Sequence, residues 1–281
     1  MLNEWIAKYN VQTAEDILRT KREILQYITL SGLSRSDFFS QASFYGGTAL
    51  RIIYDQQRFS EDLDFSLNTK DEKFSLSNYF SFIEDECKMF NLDVNLALKN
   101  KINNSAIESA FLKDSTEWSE ISFFSKSTNS DRAVKIKVEI DTNPPLSFET
   151  EPKLILFPHS FYVTCFQESF LFAGKMHAVL YREWKTRVKG RDWYDLEWYV
   201  RRKTKLNLAH LQERAIESQS IDKFATLTPS LFNEIIHNRI EHLDIENAKE
   251  DIIRFVINPS ELNIWSKQYF HDLVDKIQID S

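Results

Sequence analysis

The sequence is poor in cysteine and lacks long apolar runs. Cys87 and Cys165 are the 2 cysteines among 281 residues, and they form no Cys-x-x-Cys pair. This usage excludes a disulfide framework and a zinc knuckle, and we expect both thiols to be buried as small apolar side chains. No stretch of about 18 uncharged apolar residues is present, and charged residues interrupt the first thirty positions. We therefore expect a cytoplasmic protein with no membrane partner.

Histidine and glycine are also scarce. The chain has 6 histidines, of which His237 and His242 lie five positions apart and so fall on different faces of a helix. This spacing argues against a transition-metal site. Only 5 glycines occur, so the double glycine Gly46-Gly47 predicts a break between two elements of secondary structure.

A net charge of -7 argues against a protein that coats nucleic acid by bulk attraction. The charge is uneven, however, because Lys and Arg outnumber Asp and Glu by nine to four between Lys175 and Lys203. This basic run could be a solvated helix face, or it could contact an RNA backbone. The candidate RNA-binding residues are Arg182, Lys185, Arg187, Lys189 and Arg191.

The pattern of the first ninety residues alternates between helical and extended segments. Thr13 and Asp16 form a capping box ahead of an amphipathic helix, and a second helical stretch is expected over 37–42. A helix should restart at Thr48 after the double glycine, and residues 59–67 should be extended. A further helix is expected over 76–90.

The middle of the chain predicts a sheet and the last third predicts helices. Alternating apolar positions indicate strands at 94–98, 107–112, 118–124 and 134–140. Four prolines then mark a loop-rich stretch, after which helical periodicity dominates. We expect an α+β fold with an antiparallel or mixed sheet, divided into domains 1–160 and 161–281 with a ligand cleft between them.

The motif with the clearest chemistry is Asp62-Leu63-Asp64. On a strand, the two carboxylates would project from one face, where they suit magnesium together with substrate phosphates. The glycine turn before Thr48 would offer backbone amides to a phosphate at a helix start. A third carboxylate is expected from the strand at 134–140. Glu139 and Asp141 share its polar face, and Glu139 is favoured because it lies inside the alternating run.

Three motifs in order resemble the AbiEii/AbiGii family of nucleotidyltransferase-like toxins. The first runs from Phe44 to Arg51 and continues as Arg-Phe-Ser-Glu-Asp-Leu-Asp-Phe over 58–65. The others are Phe-Ala-Gly-Lys-Met-His at 172–177 and Lys-Gly-Arg-Asp-Trp-Tyr-Asp-Leu at 189–196. Together they extend over roughly residues 40 to 200.

The resemblance implies a polymerase-beta-like catalytic domain followed by a helical domain. It also implies a toxin, of the kind found in type IV toxin-antitoxin and abortive-infection systems, that is silenced by a separate antitoxin. Position by position, Asp62 and Asp64 match the metal-binding carboxylates, Lys175 the nucleotide-contacting lysine and Asp192 the late catalytic aspartate. The phosphate-side positions of the family are matched by Gly46, Gly47 and Ser60.

These matches lead to the hypothesis of an enzyme that uses two Mg²⁺ ions and an NTP to transfer a nucleoside monophosphate to RNA, such as the acceptor end of tRNA. Two alternatives remain open, namely nucleotidylation of a protein and a non-catalytic module that binds nucleotide or a partner. Local alternatives remain as well. Lys175 could be a surface lysine, and Asp192 could merely cap a helix.

Overall fold

The structure is a computed structural model that describes residues 2–6, 11, 13–98, 116–124, 134–183 and 187–280. The chain forms two compact units. The first comprises Met1–Asp55, Phe59–Leu146 and Thr150–Cys165, and the second comprises Gln56–Arg58, Ser147–Glu149 and Phe166–Ser281. The expected strand at 107–112 and the candidate residue Lys185 lie outside the described residues.

The first unit is built on a mixed sheet whose seven described strands follow the order β3-β4-β5-β2-β1-β7-β6. The strands are β1 Ala42–Tyr45, β2 Leu63–Leu67, β3 Asp93–Leu98, β4 Thr116–Phe124, β5 Val134–Asp141, β6 Thr150–Ile155 and β7 Phe161–Phe166. The helices are α1 Leu2–Ile6, α2 Ala14–Ser34, α3 Phe38–Gln41, α4 Gly46–Tyr54 and α5 Phe80–Met89, with a 3-10 turn at Leu76–Tyr79.

The pairing of the central strands determines which side chains are neighbours. Strand β2 runs antiparallel to β1 and parallel to β5, and Asp64 is the register partner of Tyr45 on one side and of Glu139 on the other. Leu63 and Phe65, which alternate with Asp64, are fully buried. The sheet therefore buries one face of β2 in the core and leaves Asp64 and Glu139 together on the opposite face.

Helix α4 is joined to the long helix α2 by a buried ion pair. The Nε atom of Arg51 donates to Oε2 of Glu23 at 2.9 Å, and both side chains are largely removed from solvent. Thr13 and Asp16 form the expected capping box at the start of α2. Because α2 also packs on α5 and β5, the ion pair fixes α4 to the body of the sheet.

The second unit is helical. Its helices are α6 Glu168–Tyr181, α7 Gly190–Arg201, α8 Leu208–Glu217, α9 Pro229–Glu241, α10 Ile245–Ile252 and α11 Lys267–Val274, with a 3-10 turn at Pro259–Ile264. Two short strands, β8 Lys205–Leu206 and β9 Gln278–Ile279, pair in parallel. Trp193 and Tyr199 on α7 are almost fully buried, so most of the aromatic side chains of this helix belong to the core.

Several boundaries differ from the sequence prediction. Strand β1 was not predicted, because its four residues offer too short an alternating pattern. Strand β6 lies in the stretch that we expected to be loops, and β7 lies where we expected helices to begin. Helix α4 begins at Gly46 and not at Thr48. Strand β2 begins at Leu63, so Asp62 precedes the strand instead of lying on it.

The two cysteines behave as the sequence predicts, since both are free and buried. Burial, with a smaller contribution from Glu86, raises the pKa of Cys87 to about 12. Within the described part of the chain, none of the helices combines the length and apolar character needed to cross a bilayer.

Candidate active site

A carboxylate of the first unit lies directly against a glycine at the start of a helix. Gly46 has φ +81°, and a Cβ built on it would lie 2.2 Å from Oδ2 of Asp64. This backbone conformation favours glycine, and the close approach requires it. The absence of a side chain therefore allows the Asp64 carboxylate to lie beside the first residue of α4, where backbone N-H groups lack helical partners.

The segment that carries Asp62 is fixed by contacts to α4 and α2. The Thr48 hydroxyl, which is fully buried, donates to the backbone carbonyl of Asp62. Gln26 Nε2 donates to the carbonyl of Ser60 at 3.2 Å, and Arg22 forms an ion pair with Glu61 at 3.1 Å. Asp62 is thus positioned by its backbone, although strand alternation does not govern it.

The sheet register distinguishes the two candidates for a third carboxylate. Glu139 is the direct neighbour of Asp64 across the parallel pair, whereas Asp141 is the neighbour of Ser66. Oδ1 of Asp141 accepts a hydrogen bond from the backbone N-H of Asn143 at 3.1 Å, and Lys137 forms an ion pair with Glu139. We refer to Asp64 and Glu139 on this face of the sheet, together with Asp62 just before β2, as the carboxylate face.

The donor chemistry of the carboxylate face fits a hard divalent cation. Carboxylate oxygens on one side of a sheet, beside unpaired helix N-H groups, are the ligands that magnesium shares with phosphate in proteins. Among the described residues, no three His, Cys, Asp or Glu side chains are gathered closely enough to hold a metal by themselves. Two carboxylates together with substrate phosphates remain the arrangement that magnesium commonly uses.

The second unit contains a buried cluster of charged side chains around Asp195. Arg58 donates to both carboxylate oxygens of Asp195, from Nε to Oδ1 and from Nη2 to Oδ2, each at 2.6 Å. Gln56 Nε2 also donates to Oδ1 at 2.8 Å, and Lys175 Nζ lies 2.8 Å from Oδ2. Asp195 is therefore an anion that holds two cations and an amide in fixed positions.

Asp192 completes this cluster from the first turn of α7. Its Oδ1 accepts a hydrogen bond from Lys175 Nζ and its Oδ2 accepts one from Arg182 Nη1, both at 2.8 Å. We call Arg58, Lys175, Arg182, Asp192 and Asp195 the lysine cluster. Its three cations and two carboxylates leave one positive charge uncompensated within the cluster.

The local alternatives for Lys175 and Asp192 are wrong. The Lys175 side chain is only 15% exposed, so it is not a surface lysine. Asp192 lies inside α7, whose N-cap is Lys189, so it does not cap the helix. An ion pair joins the two residues, a contact that the sequence motifs did not specify.

Electrostatics keep Lys175, Asp192 and Asp195 ionised despite their burial. Burial alone would lower the pKa of Lys175, but Asp192 and Asp195 outweigh burial and the pKa is raised. Burial would raise the pKa of Asp195, but Arg58 and then Lys175 hold it at about 2. The pKa of Asp192 is also lowered, by Lys175 and Arg182 against burial. A carboxylate with a lowered pKa is a weak base, so its ionic state suits Asp192 to orientation better than to proton transfer.

Sequence reasoning missed Arg58 and Asp195 as site residues. Both lie within the quoted motifs, but neither received a role. The available signal was the position of Asp195 among buried aromatic residues of α7, because a carboxylate on a buried helix face requires a cationic partner. The sequence could not identify Arg58 as that partner, since 137 positions separate the two residues.

The candidate RNA-binding residues contact several different partners. Arg182 binds Asp192, Arg187 forms an ion pair with the buried Asp251, and the Arg191 guanidinium lies 4.3 Å from the centre of the Phe255 ring. Each of these three arginines therefore has a partner within the second unit. Lys189 is half-buried, and its pKa is lowered by burial and then by Arg191, Arg187 and Arg182, although Asp251 acts in the opposite direction.

Residues 28–274 match the family model of the nucleotidyl transferase AbiEii toxin of type IV toxin-antitoxin systems. The chain belongs to this family. It is therefore a nucleotidyltransferase, and its predicted membership and enzyme class are confirmed. The match covers every residue of the carboxylate face and of the lysine cluster.

The AbiEii chain is also similar to solved structures. MenT4, a nucleotidyltransferase toxin from Mycobacterium tuberculosis, is 14% identical, with 98% of this chain and 96% of that chain covered at a TM-score of 0.51. JHP933 from Helicobacter pylori is 18% identical, with coverage of 92% and 94% and a TM-score of 0.46. The likeness to MenT4 confirms the predicted fold. A comparison with curated proteins finds no match.

A pair of glycine substitutions tests the close approach in this AbiEii protein. Gly46→Ala places an alanine at φ +81°, and its Cβ displaces the Asp64 carboxylate. We therefore expect a loss of about 1 to 3 kcal/mol of unfolding free energy together with loss of nucleotidyl transfer. Gly174→Ala is the matched control. Its Cβ meets nothing within 4 Å in the middle of α6, and it should stabilise by about 0.5 to 1 kcal/mol. If Gly46→Ala and Gly174→Ala had the same effects on stability and activity, the close approach of Asp64 to Gly46 would be contradicted.

Replacement of Asp195 tests the lysine cluster. Asp195→Ala leaves Arg58 and Lys175 buried without their shared anion, so urea unfolding should show a loss of about 3 to 5 kcal/mol. Because the pKa of Asp195 is lower in the folded protein than the value of about 4 in the unfolded chain, its ionisation stabilises the fold above about pH 4. This contribution is lost as the pH falls toward about 2. The variant should therefore lose less stability than the wild type between pH 4 and 2. If the unfolding free energies of the variant and the wild type fell equally between pH 4 and 2, the result would argue against an ionised Asp195.

Proposed function

We propose that this AbiEii protein is a magnesium-dependent toxin that transfers a nucleoside monophosphate from an NTP to RNA, with the acceptor end of tRNA as the expected substrate. In this reaction an acceptor hydroxyl oxygen forms a bond to the α-phosphorus. The bond from that phosphorus to the bridging oxygen breaks, pyrophosphate leaves, and the hydroxyl proton passes to solvent. The observation that carries the proposal is the Asp64 carboxylate against Gly46 at the start of α4, in register with Glu139.

Asp62 and Asp64 are the residues that we expect to hold two Mg²⁺ ions, with Glu139 as the third carboxylate. When bound, magnesium supplies positive charge for the phosphates and lowers the pKa of the acceptor hydroxyl. The register supports Glu139 over Asp141, because Glu139 directly neighbours Asp64. Glu139 would exchange its contact with Lys137 for the cation.

The residues at the start of α4 would bind the nucleotide phosphates. Gly46 and Gly47 offer backbone N-H groups of the first helical turn to an anion. Thr48 contributes by holding the Asp62 backbone, since its hydroxyl is already used in that hydrogen bond. Ser60 matches a phosphate-side position of the family, and its carbonyl is held by Gln26.

Lys175 would stabilise negative charge on the nucleotide phosphates, as the family motif implies. Its raised pKa keeps the ammonium protonated, and the lysine cluster has one positive charge in excess to offer an anion. Asp192 would orient Lys175 and Arg182, because both cations bind its carboxylate. An ammonium held between two aspartates is preorganised, so little reorganisation accompanies charge development.

An RNA acceptor is supported by the positive charge around Lys189. Burial is the largest cause of its lowered pKa, and Arg191, Arg187 and Arg182 contribute while Asp251 opposes them, so several cations lie near Lys189. The family also implies a partner, so we expect a separate antitoxin protein that silences the enzyme.

Removal of one metal-binding carboxylate tests the proposed reaction. Asp62→Asn should reduce transfer from α-³²P-labelled NTPs by three or more orders of magnitude, on the order of 4 kcal/mol in activation free energy. EDTA should abolish the wild-type reaction. Separation of RNA from protein after incubation with total cellular extract shows which acceptor carries the label, and a labelled protein band would replace RNA as the substrate.

The matched control is Asp85→Asn, which removes one exposed carboxylate from α5 of the same unit. It should retain full transfer activity. Glu139→Gln and Asp141→Asn, measured side by side, identify the third carboxylate. Full activity in Asp62→Asn, with the thermal stability of the wild type, would overturn the metal assignment.

Lys189 provides a test for RNA binding that leaves the ion pairs intact. Arg187 is unsuitable because its loss would leave Asp251 buried without a cation. Lys189→Gln should weaken RNA binding and reduce the slope of log K against log salt by about 0.7, the value for one phosphate contact on a single strand. Lys88→Gln removes an exposed lysine from the first unit and should change neither quantity. Identical salt slopes in both variants would exclude Lys189 from the RNA interface.

A further inference from the structure

Two histidines of the second unit face each other between helices α9 and α11. The Nδ1 atoms of His237 and His271 are 2.5 Å apart. The ring planes differ by only 8° and the ring centres are 4.8 Å apart. Rings stacked face to face would keep all atoms about 3.5 Å or more apart. The two imidazoles therefore meet edge to edge, nitrogen to nitrogen.

Each outer nitrogen of this pair contacts a carboxylate. Nε2 of His237 lies 3.0 Å from Oδ1 of Asp275, and Nε2 of His271 lies 2.8 Å from Oε1 of Glu241. A carboxylate oxygen accepts, so each Nε2 atom donates its N-H to a carboxylate. With no proton on either Nδ1 atom, the two lone pairs point at each other, and such lone pairs repel unless a cation, either a proton or a metal ion, lies between them.

We propose that His237 and His271 form a binding site for a transition-metal ion of the zinc class, which binds both Nδ1 atoms. Imidazole nitrogen suits Zn²⁺, Ni²⁺ and Cu²⁺, whereas magnesium prefers oxygen. Asp275 and Glu241 would orient the two rings from behind, as carboxylates commonly do for metal-bound histidines. The site is therefore chemically distinct from the carboxylate face.

The pair can accept such an ion once the two rings move apart. Two Zn-N bonds of about 2.0 Å at a tetrahedral angle place the nitrogens about 3.3 Å apart, which requires a modest opening from the present 2.5 Å. The His237 side chain is 29% exposed and that of His271 is 20% exposed, so each ring can turn toward solvent and water can complete the coordination.

The metal would join two helices of the second unit. His237 lies in α9 and His271 in α11, and both helices bury side chains such as Ile236 and Phe270 in the core. The spacing of His237 and His242 argued against a transition-metal site. The fold instead pairs His237 with a histidine 34 positions away, which no local spacing reveals.

Titration calorimetry of the EDTA-treated full chain with Zn²⁺ tests the site. The measurement is made in an Asp62→Asn, Asp64→Asn background, so that binding to the carboxylate face does not contribute. We expect one equivalent of Zn²⁺ to bind and to raise the melting temperature by roughly 5 °C or more at saturating metal. His237→Ala and His271→Ala should each abolish this binding.

His242→Ala is the matched control, because it removes an exposed histidine from the C-terminal end of α9 and should leave Zn²⁺ binding unchanged. Glu241→Gln should weaken binding 10- to 100-fold, as expected for a carboxylate that orients a ligand. NMR of ¹⁵N-histidine in the otherwise unaltered protein gives a readout independent of the histidine variants. Equal Zn²⁺ binding in all histidine variants, or no change in the resonances of two histidines, would overturn the proposal.

Discussion

The structure depends on the close approach of a carboxylate to a glycine. Any side chain at Gly46 would occupy the position of the Asp64 carboxylate, because a Cβ there would lie 2.2 Å from Oδ2. The antiparallel pairing of β1 with β2 brings the two residues together, since Tyr45 is the register partner of Asp64. A negative charge is thereby placed beside the positive end of α4, and the same location is suited to a phosphate and its cation.

The first unit supports this location through contacts that do not themselves react. The ion pair of Glu23 with Arg51 fixes α4, and the Thr48 hydroxyl ties α4 to the backbone of Asp62. In the second unit, Asp195 performs the corresponding task for Lys175 by sharing its carboxylate with Arg58. In each unit a buried ionic or polar contact positions a residue of the sequence motifs, so loss of a supporting residue should affect stability and activity together.

The sequence predicted those features of the fold that depend on local periodicity. The alternation at 134–140 correctly identified β5, and Thr13 with Asp16 correctly marked the start of α2. Strands β1, β6 and β7 were missed, because four to six residues beside prolines or a glycine pair form too short an alternation of apolar and polar positions. The membership of the family and the α+β fold were predicted from the order of the motifs and are confirmed.

The partners within the candidate site could not be predicted from the sequence. The motifs named Lys175 and Asp192 but not their shared ion pair, and they gave no role to Asp195 or Arg58. Contacts across more than a hundred positions are determined by tertiary packing, which neither charge nor spacing reports. The same limit applies to His237, whose partner became apparent only in the fold.

The position of the metal tests most directly whether Asp62 and Asp64 form the metal site. A crystal structure of the protein with Mn²⁺ and a non-hydrolysable NTP analogue would locate the ion by anomalous scattering. We expect an anomalous peak within coordination distance of the Asp62 and Asp64 carboxylates, with the nucleotide phosphates on the same ion. Clear density for the nucleotide and Mn²⁺ away from both aspartates would contradict this expectation.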